Sequence, residues 1–474
     1  MKGVRSKNYV NIMSYNKKVT GSSHFLEINY DDGLTINGIV DCGLFQEREY
    51  LELNKKLPFD ASELDFVLVT HNHVDHTGRL PLLIKKGYTK NIYMTYVTEN
   101  LIPLAMEDSL KVLTNLAKRN NEEPLYSIQD KDTMLSKIIG CKFNREVWVN
   151  PYVKVTFLSN GHLPGAALIL VQIVRAGYED INILFTGDYN SKNMFFDVES
   201  VPEYIKKLPL TIVQESTYGN MDSSQIEECF EKNVLEAVSE NKSVVIPVFS
   251  LGRAQEILHI LSEWQKNGKL STKVPIYFDG KLAIRYTDLF LRGSIQIKER
   301  IRNSLIPKNL KYVEDKQMRM NLLEESKESK IILTTSGMGT YGPAQTYLPT
   351  YLGREDCLIQ FTGYTAEGTL GDRIKSAEVG DIINVAGVLV EKKARVEYTT
   401  EFSAHAKADE MIEFLNQFTN LRLVLVNHGE TQVKNEFAKR IMKSVNTKAT
   451  GILGEQFFRI DPYGFVKSMN TKFN

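Results

Sequence analysis

Thr70-His71-Asn72-His73-Val74-Asp75-His76 holds three of the chain's eight histidines within six residues. The apolar run at 64–69 comes directly before it and has the length of a buried strand. Residues 77–83 follow, and we expect a helix to begin there. The stretch therefore predicts a cluster of ligand-type side chains at the end of a buried strand. A polar loop that is His-rich by accident is the alternative, and the small number of histidines elsewhere argues against it.

The spacing within this stretch indicates metal binding. In extended chain His71 and His73 point to the same side, because side chains alternate with a period of two. A turn after Val74 can bring Asp75 and His76 to face a second point. Imidazole and carboxylate are the ligands that suit zinc and similar divalent metals. The stretch therefore predicts the beginning of two adjacent metal sites.

Length and composition narrow the class of protein. A chain of 474 residues exceeds what one hydrophobic core usually serves, so we expect two domains. The 58 Lys and Arg residues balance 58 Asp and Glu residues, so nucleic-acid binding would have to depend on a local patch. The four cysteines are scattered without a C-x-x-C pair, which favours the cytosol over a disulfide framework. We expect neither a signal peptide nor a membrane span.

Three further polar residues follow predicted strands. His162 comes after the strand-like run 153–158, and Asp188 comes after the run 181–185, each beside a glycine that permits a sharp turn. Asp41 ends the second strand of a predicted hairpin, where it could orient a ligand imidazole or be an ordinary turn residue. Alone each is weak evidence, but together they add one His and one Asp to the first cluster.

From about residue 209 strands and helices alternate, which predicts a mostly parallel sheet covered by helices. Near residue 389 the pattern returns to strands. We therefore expect residues 209–388 to form a second, α/β domain. The strand-like runs of the second domain are 210–213, 244–249, 276–278, 331–333 and 358–361.

Several motifs in this order resemble one known family. His71-x-His73-x-Asp75-His76, then His162 and Asp188, is similar to the metallo-β-lactamase superfamily. More widely, the chain resembles the β-CASP nuclease branch, closest to bacterial and archaeal homologues of the pre-mRNA 3′-end-processing endonuclease. The motifs that carry this second resemblance are Val19-Thr20-Gly21-Ser22, Glu215-Ser216-Thr217-Tyr218-Gly219, Ser336-Gly337-Met338, the run 363–371, Ser403-Ala404-His405-Ala406 and His428-Gly429-Glu430.

The resemblance implies a fold and a set of ligands. The implied fold is an αββα sandwich built from residues 1–208 and 389–474, with residues 209–388 inserted as a β-CASP domain and the active site in a cleft between the two. His71, His73 and His162 would bind one metal, and Asp75, His76 and His428 the other, with Asp188 bridging them. Two zinc ions, with manganese as the alternative, would hold a hydroxide that attacks a phosphodiester, and Asp75 counts also among the catalytic candidates.

The resemblance also implies a general acid. His405 would protonate the leaving oxygen, and Glu215 would hold its other ring nitrogen and favour the charged form. A surface His that caps a helix is the alternative for His405. Lys407 departs from the Asp that is common after Ser-Ala-His-Ala, which puts local contacts in doubt.

Phosphate contacts are predicted at two strand-to-helix turns. Ser250, Gly252 and Arg253 lie at one of them, and Ser336 and Gly337 at the other; free N–H groups at a helix start can hold a phosphate. The resemblance implies single-stranded RNA as the substrate, because His428 stands where DNA-acting members of the family carry Val. Endonucleolytic cleavage is expected, and 5′→3′ exonucleolytic cleavage is left open. No membrane partner is expected, and a homodimer is left open.

A metal-dependent ribonuclease has three alternatives. The first is a small-molecule hydrolase with the same sandwich fold. Such an enzyme needs neither the inserted domain nor the Glu215/His405 pair, so both features argue against it. A scaffold subunit typically lacks ligands, and none is missing here. A DNA nuclease of the same branch is the remaining alternative to a metal-dependent ribonuclease that leaves a 5′-phosphate and a 3′-hydroxyl.

Overall fold

The computed structural model describes residues 8–324, 328–363, 365, 368–454, 456–463 and 466–470. The chain forms two compact units. Unit 1 comprises residues 1–193, 197–223 and 404–474, and unit 2 comprises residues 194–196 and 224–403. The units change 15 residues after each of the domain limits expected at 208 and 388, because strands just beyond those limits pair with the preceding sheet.

In chain order the strands are β1 (Asn8–Ser14), β2 (His24–Tyr30), β3 (Thr35–Val40), β4 (Phe66–Leu68), β5 (Ile92–Thr95), β6 (Ile138–Cys141), β7 (Glu146–Asn150), β8 (Val153–Ser159), β9 (Ala167–Ile173), β10 (Ile181–Phe185), β11 (Leu210–Gln214), β12 (Ser243–Pro247), β13 (Ile276–Asp279), β14 (Leu310–Tyr312), β15 (Ile331–Thr334), β16 (Cys357–Phe361), β17 (Ile382–Val385), β18 (Val388–Glu391), β19 (Arg395–Tyr398), β20 (Leu421–Val426), β21 (Lys448–Gly451), β22 (Gln456–Ile460) and β23 (Val466–Asn470).

The α-helices are α1 (Val74–Thr77), α2 (Leu80–Lys85), α3 (Tyr96–Asn120), α4 (Ile128–Ser136), α5 (Glu203–Lys206), α6 (Phe230–Ser239), α7 (Arg253–Lys266), α8 (Lys281–Leu291), α9 (Glu299–Arg302), α10 (Lys316–Leu323), α11 (Ala344–Leu352), α12 (Leu370–Ser376), α13 (Ala408–Leu415) and α14 (Thr431–Ser444). Short 3-10 segments lie at Arg48–Lys55, Ala61–Glu63 and Ser223–Gln225.

Unit 1 is a sandwich of two sheets. One has eight strands in the order β23-β22-β1-β2-β3-β4-β5-β6, and the other has seven in the order β21-β20-β11-β10-β9-β8-β7. Val10, Leu26, Phe157 and Ile169 belong to the apolar core that contains residues from both sheets. The strands β9 and β10 are buried on both faces, since helices pack outside the sheets, and this explains their nearly continuous apolar sequence. This is the expected αββα arrangement.

Unit 2 contains a six-stranded sheet in the order β14-β13-β15-β12-β16-β19, in which every pairing is parallel. Helices cover both faces. Helix α7 buries Ile257, Leu258 and Leu261 on one of them, because these residues recur at helical spacing. The prediction of an α/β insertion with a mostly parallel sheet is confirmed.

In unit 1, the strands with candidate site residues end at a common edge within each sheet. Strands β10, β11 and β20 are parallel neighbours, and β8 runs in the same direction because it and β10 both pair antiparallel with β9. In the other sheet β3 and β4 are parallel. Loops that follow these strands therefore gather at the carboxyl edges, where the candidate residues lie.

Several local expectations need correction or fall outside the described residues. The helix expected directly at Ser336 was wrong: α11 begins only at Ala344, because Gly339 and Gly342 take positive φ angles and Pro343 immediately precedes the helix. Within the motif 363–371, residues 364, 366 and 367 lie outside the described residues. Across the described ranges, the helices are all too short or too polar to span a bilayer.

Candidate metal centre

The His71–His76 stretch forms a tight loop after β4 that continues into the short helix α1. His73 lies at the position before α1, and its carbonyl accepts hydrogen bonds from the N–H groups of His76 and Thr77, both 3.0 Å. Gly43 packs directly against this loop. A Cβ atom at Gly43 would lie 1.5 Å from the Asp75 carbonyl oxygen, so only glycine fits. Close backbone packing therefore fixes the direction in which the loop presents its side chains.

The first group of candidate ligands consists of three imidazoles and one carboxylate. The ligand-type atoms of His71, His73, His162 and Asp188 lie within 4.8 Å of one another. His73 Nδ1 is 3.2 Å from His71 Nε2 and 3.1 Å from His162 Nε2. Asp188 Oδ2 is 3.6 Å from the Nε2 atoms of both His71 and His162. Residues from three separate loops thus converge on one point.

The second group is adjacent and shares Asp188. It consists of Asp75, His76, Asp188 and His428, again with ligand-type atoms within 4.8 Å of one another. Asp188 Oδ1 is 3.2 Å from the Nε2 atoms of both His76 and His428. Asp75 Oδ2 is 3.8 Å from His76 Nε2. One oxygen of Asp188 therefore faces each group, as a bridging carboxylate requires.

Both groups fit a divalent metal. Nitrogen ligands about 2.0–2.1 Å from a tetrahedral zinc lie about 3.3 Å apart, close to the spacings of the first group. In the second group the buried atoms His76 Nε2, His428 Nε2 and Asp188 Oδ1 have no hydrogen-bond partner in the described part of the chain. A shared cation would satisfy these atoms, whereas leaving them unsatisfied is costly.

Neighbouring polar groups orient the imidazoles. Asp41 Oδ2 accepts from His76 Nδ1 at 2.7 Å, and Asp41 Oδ1 accepts from the Thr70 N–H at 2.8 Å. His162 Nδ1 is 3.0 Å from the Ala404 carbonyl oxygen, and His428 Nδ1 is 3.1 Å from Thr217 Oγ1. These contacts leave the opposite ring nitrogens, the Nε2 atoms, facing the two groups.

Burial favours neutral imidazoles in the first group, whereas neighbouring carboxylates favour the protonated form of His76 in the second. Burial lowers the pKa of His71, His73 and His162, and neutral imidazole is the form that binds metals. Burial also opposes protonation of His76, but the carboxylates of Asp188 and Asp41 outweigh it and raise its pKa. Burial opposes ionisation of Asp188, yet the facing imidazoles hold its pKa well below the usual range.

His405 and Glu215 form a pair beside the two groups. His405 Nδ1 lies 2.9 Å and 3.0 Å from the two Glu215 carboxylate oxygens. Glu215 also accepts from the N–H groups of Tyr189 at 2.6 Å and Thr217 at 3.2 Å, which fixes the carboxylate. His405 Nε2 is directed toward Asp188, 3.9 Å from Oδ2. Burial lowers the pKa of His405, but the Glu215 and Asp188 carboxylates outweigh it and raise the pKa.

Comparison with known proteins places this geometry in a family. Residues 19–145 match the model of the metallo-β-lactamase superfamily, residues 254–374 the Beta-Casp domain, and residues 389–450 the Zn-dependent metallo-hydrolase RNA specificity domain. Ribonuclease TTHA0252 of Thermus thermophilus is 30% identical over 426 residues, which are 88% of this chain and 92% of that protein. The chain belongs to the β-CASP ribonuclease branch of the metallo-β-lactamase superfamily. It is accordingly a metal-dependent hydrolase.

Two archaeal relatives from Methanocaldococcus jannaschii extend the comparison. This β-CASP ribonuclease is 30% identical over 417 residues to an RNase J-like protein, covering 86% of this chain and 90% of that one. It is also 31% identical to the transcription termination factor FttA over 428 residues, which are 85% of this chain but only 65% of that protein. The similarity to FttA therefore leaves about a third of that protein unmatched.

The predicted phosphate contacts of the β-CASP ribonuclease lie at the carboxyl edge of the unit 2 sheet. Ser250, Gly252 and Arg253 connect β12 to α7; the Gly252 N–H donates to Gln255 Oε1 at 2.8 Å, and the buried Arg253 side chain pairs with Glu256. Ser336 and Gly337 lie in the loop after β15, where the Ser336 N–H donates to the Tyr341 carbonyl at 3.1 Å. Several of the expected free N–H groups therefore already have partners, and phosphate binding here stays a prediction.

Some residues that shape the site were not predicted from the sequence. The Asn160 side chain donates to the carbonyls of Thr186 at 3.0 Å and Asp188 at 2.6 Å, and its oxygen accepts from the His162 N–H at 2.8 Å. It thus joins the loops that carry two candidate ligands. Thr217 was likewise missed as the partner of His428. Their positions within two residues of predicted site residues were the available signal.

Two further residues near the candidate ligands, His24 and Lys407, have defined contacts in the structure. His24 is buried and its Nδ1 lies 2.6 Å from Ser14 Oγ, while burial and the nearby His76 and His428 lower its pKa to about 3. It belongs to neither ligand group of the described residues. Lys407, two residues after His405, is buried, and its ammonium lies 3.4 Å from the centroid of the Tyr218 ring. This cation–π contact accommodates a charge where Asp is common.

Proposed function

We propose that this β-CASP ribonuclease hydrolyses single-stranded RNA with two divalent metal ions and leaves a 5′-phosphate and a 3′-hydroxyl. The observation that carries the proposal is the disposition of Asp188. Its Oδ2 atom faces the group of His71 and His162, and its Oδ1 atom faces His76 and His428. A carboxylate shared between two ligand groups can hold two metal ions side by side, which is the arrangement used in two-metal hydrolysis of phosphodiesters.

The residues that would hold the metals are the two groups as described. His71, His73 and His162 would hold one ion, and Asp75, His76 and His428 the other, with Asp188 shared. When bound, such ions supply an acidified water molecule and neutralise charge on the phosphodiester. The preponderance of imidazole among the ligands favours zinc. Manganese is the alternative, because the carboxylates of Asp75 and Asp188 also suit that metal.

His405 would supply the proton that the leaving oxygen needs. Its Nδ1–H donates to Glu215, so Nε2 is the atom that carries the transferable proton toward the cluster. Glu215 is fixed by two backbone N–H groups and therefore holds the imidazole in one orientation. Because hydrolysis that leaves a 5′-phosphate releases the 3′ oxygen, His405 Nε2 would protonate that oxygen.

RNA is favoured over DNA by the C-terminal part of the chain. The match to the RNA specificity domain covers residues 389–450, which include His405 and His428. The Thermus relative and one archaeal relative are named as ribonucleases. Flexible single strands are the form in which RNA is most readily contacted by side chains, since the major groove of an RNA helix is too narrow.

Cleavage of end-labelled RNA and DNA of one sequence tests this function. We expect RNA to be cut to products with a 5′-phosphate and a 3′-hydroxyl, and a 2′-O-methyl group at the scissile nucleotide to leave the chemistry intact. A 2′,3′-cyclic phosphate would show that the 2′-hydroxyl attacked, and hydrolysis would be excluded. Equal or faster cutting of DNA would overturn the RNA assignment but not the metal chemistry.

We also propose that the protein works in the reducing cytosol. All four cysteines, Cys42, Cys141, Cys229 and Cys357, are unpaired in the structure. Burial raises the pKa of the Cys42 thiol to about 11, so it is unreactive. Fractionation of cells with an antibody against the chain tests the location, and recovery outside the cytosol would contradict it.

A further inference from the structure

The basic residues of the chain are unevenly distributed. Residues 281–312 contain eight Lys or Arg and two Asp or Glu, a formal net charge of +6 in a chain whose total is zero. The remainder of the chain therefore carries 50 basic and 56 acidic residues. A polyanion should be repelled by the remainder on average and attracted to this segment, because charge separation within a protein steers charged ligands.

Within this segment, α8 presents its charges along one face. Lys281 and Arg285 are exposed, as is Arg292, which directly follows the helix. Spacings of four and seven residues place all three on one stripe of the helix. The stripe also holds Asp288, which forms a weak exposed ion pair with Arg292 at 3.8 Å. The opposite face of α8 is buried through Ala283, Tyr286, Thr287 and Phe290.

The end of α8 continues into more basic surface. Arg302 is half-buried, and its guanidinium lies next to Gly293, 3.7 Å from where a Cβ atom would be, which places another positive charge near the end of α8. Exposed Arg300 lies in the adjoining helix α9. We name Lys281, Arg285, Arg292, Arg300 and Arg302 the α8 basic face. The start of α8 directly follows β13, at the carboxyl edge of the unit 2 sheet.

A short connection in sequence joins this face to the candidate metal ligands. The buried face of α8 contacts Phe195, whose ring centroid is 5.3 Å from that of Phe290. The Lys298 N–H donates to the Phe195 carbonyl at 2.7 Å. Phe195 is seven residues after Asp188 in the chain.

We propose that the α8 basic face binds the phosphate backbone of single-stranded RNA outside the bond that is hydrolysed. Lys281 and Arg285 are separated by about 6 Å along the helix axis and Arg285 and Arg292 by about 10 Å, which lets each meet a different phosphate of an extended strand. Such contacts carry no base information, so the face would add affinity without sequence preference. This inference rests on the proposed ribonuclease function and assigns an RNA-binding surface to unit 2.

The test compares two triple variants that remove the same charge. K281Q/R285Q/R292Q changes the α8 basic face, and K266Q/K269Q/K273Q removes three exposed lysines near the amino end of β13. Both are made in an Asp188→Ala background so that RNA stays intact. Binding of single-stranded RNA of about 20 and about 4 nucleotides is measured by fluorescence anisotropy over a range of salt concentrations.

For the long RNA, the α8 variant should raise Kd about tenfold and reduce the slope of log Kd against log salt by about 2, since each phosphate contact of a single strand contributes about 0.7. The Kd for the short RNA in the α8 variant, and the Kd for either RNA in the control variant, should change little. R285Q alone should give about a third of the slope change. Equal effects of the two triple variants, no effect, or equal loss of short and long RNA would overturn the inference.

RNA cleavage is measured separately, with Asp188 intact. If RNA is not cut but long RNA still binds through the α8 basic face, the proposed function fails and the surface assignment stands. If RNA is cut and the α8 variant binds like its parent, the surface assignment fails alone.

Discussion

His405→Ala is the perturbation that separates proton donation from metal binding. His405 lies outside both candidate ligand groups of the described residues, and its Nδ1 is engaged by Glu215 at 2.9 Å. The variant should therefore keep its metal content. Loss of a general acid typically costs about 10²- to 10⁴-fold in rate, or about 2.7–5.4 kcal/mol of transition-state stabilisation.

The assay compares two leaving groups. The first substrate is RNA, and the second carries sulfur in place of the 3′ bridging oxygen at the scissile bond. A thiol has a pKa of about 8.5, so the thiolate departs without a proton and should not need His405. We expect the His405→Ala defect in kcat to fall to within about tenfold on the sulfur substrate.

The matched control for this experiment is His259→Ala. His259 lies on α7 in unit 2, with Nδ1 3.1 Å from the Ser304 carbonyl oxygen, and should leave kcat unchanged. If His405→Ala slows both substrates equally, His405 does not donate a proton to the leaving group. If it loses metal, His405 is a ligand and the division of roles is wrong.

Three other perturbations test parts of the same account. Glu215→Gln should lower kcat less than His405→Ala while keeping both metals, because an amide oxygen still accepts from His405 Nδ1 but no longer favours the charged imidazole. Single-turnover kinetics measures the effect, and a loss of rate equal to that of His405→Ala would contradict this prediction. Asp41→Asn should weaken metal affinity about 10- to 100-fold in chelator competition, because the substitution removes the charge that holds His76. Asn tolerates the positive φ of 61° at this position, so the backbone should be unchanged. Unchanged metal affinity would refute the orienting role of Asp41. Burial lowers the pKa of Lys434 to about 8, so the unfolded chain binds more protons than the folded chain between about pH 8 and 10.5, and the stability of the wild type should rise with pH across that window. Lys434→Met should remove this rise and stabilise the fold at pH 7 by roughly 1–3 kcal/mol, as measured by urea unfolding. A destabilised variant would contradict the reasoning.

The candidate site was accessible from the sequence because each ligand type is chemically conspicuous and follows a strand. His71 follows β4, His162 follows β8 and Asp188 follows β10, and strand periodicity alone locates these positions. The structure brings them together, with Asp188 Oδ2 3.6 Å from the Nε2 atoms of both His71 and His162. That they bind metal stays a prediction, tested by the experiment below.

What sequence reasoning missed are contacts made by common groups. The Ala404 carbonyl that faces His162 Nδ1 has no side-chain signature, and Thr217 and Asn160 are ordinary polar residues until the fold places them. Sheet membership was equally hidden. Strand β19 was expected from its composition, but only its pairing with β16, Leu358 opposite Arg395, assigns it to the unit 2 sheet. Such long-range pairing is decided by tertiary packing rather than by local pattern.

The central claim is that Asp188 is shared between two metal ions in an RNA-cleaving site. Native mass spectrometry of metal-loaded wild type and Asp188→Ala, with RNA cleavage measured on the same samples, tests it most directly. We expect two ions per wild-type chain, and fewer ions with no cleavage in the variant. Two ions together with full cleavage in Asp188→Ala, or a fully active wild type with a single ion, would contradict the claim.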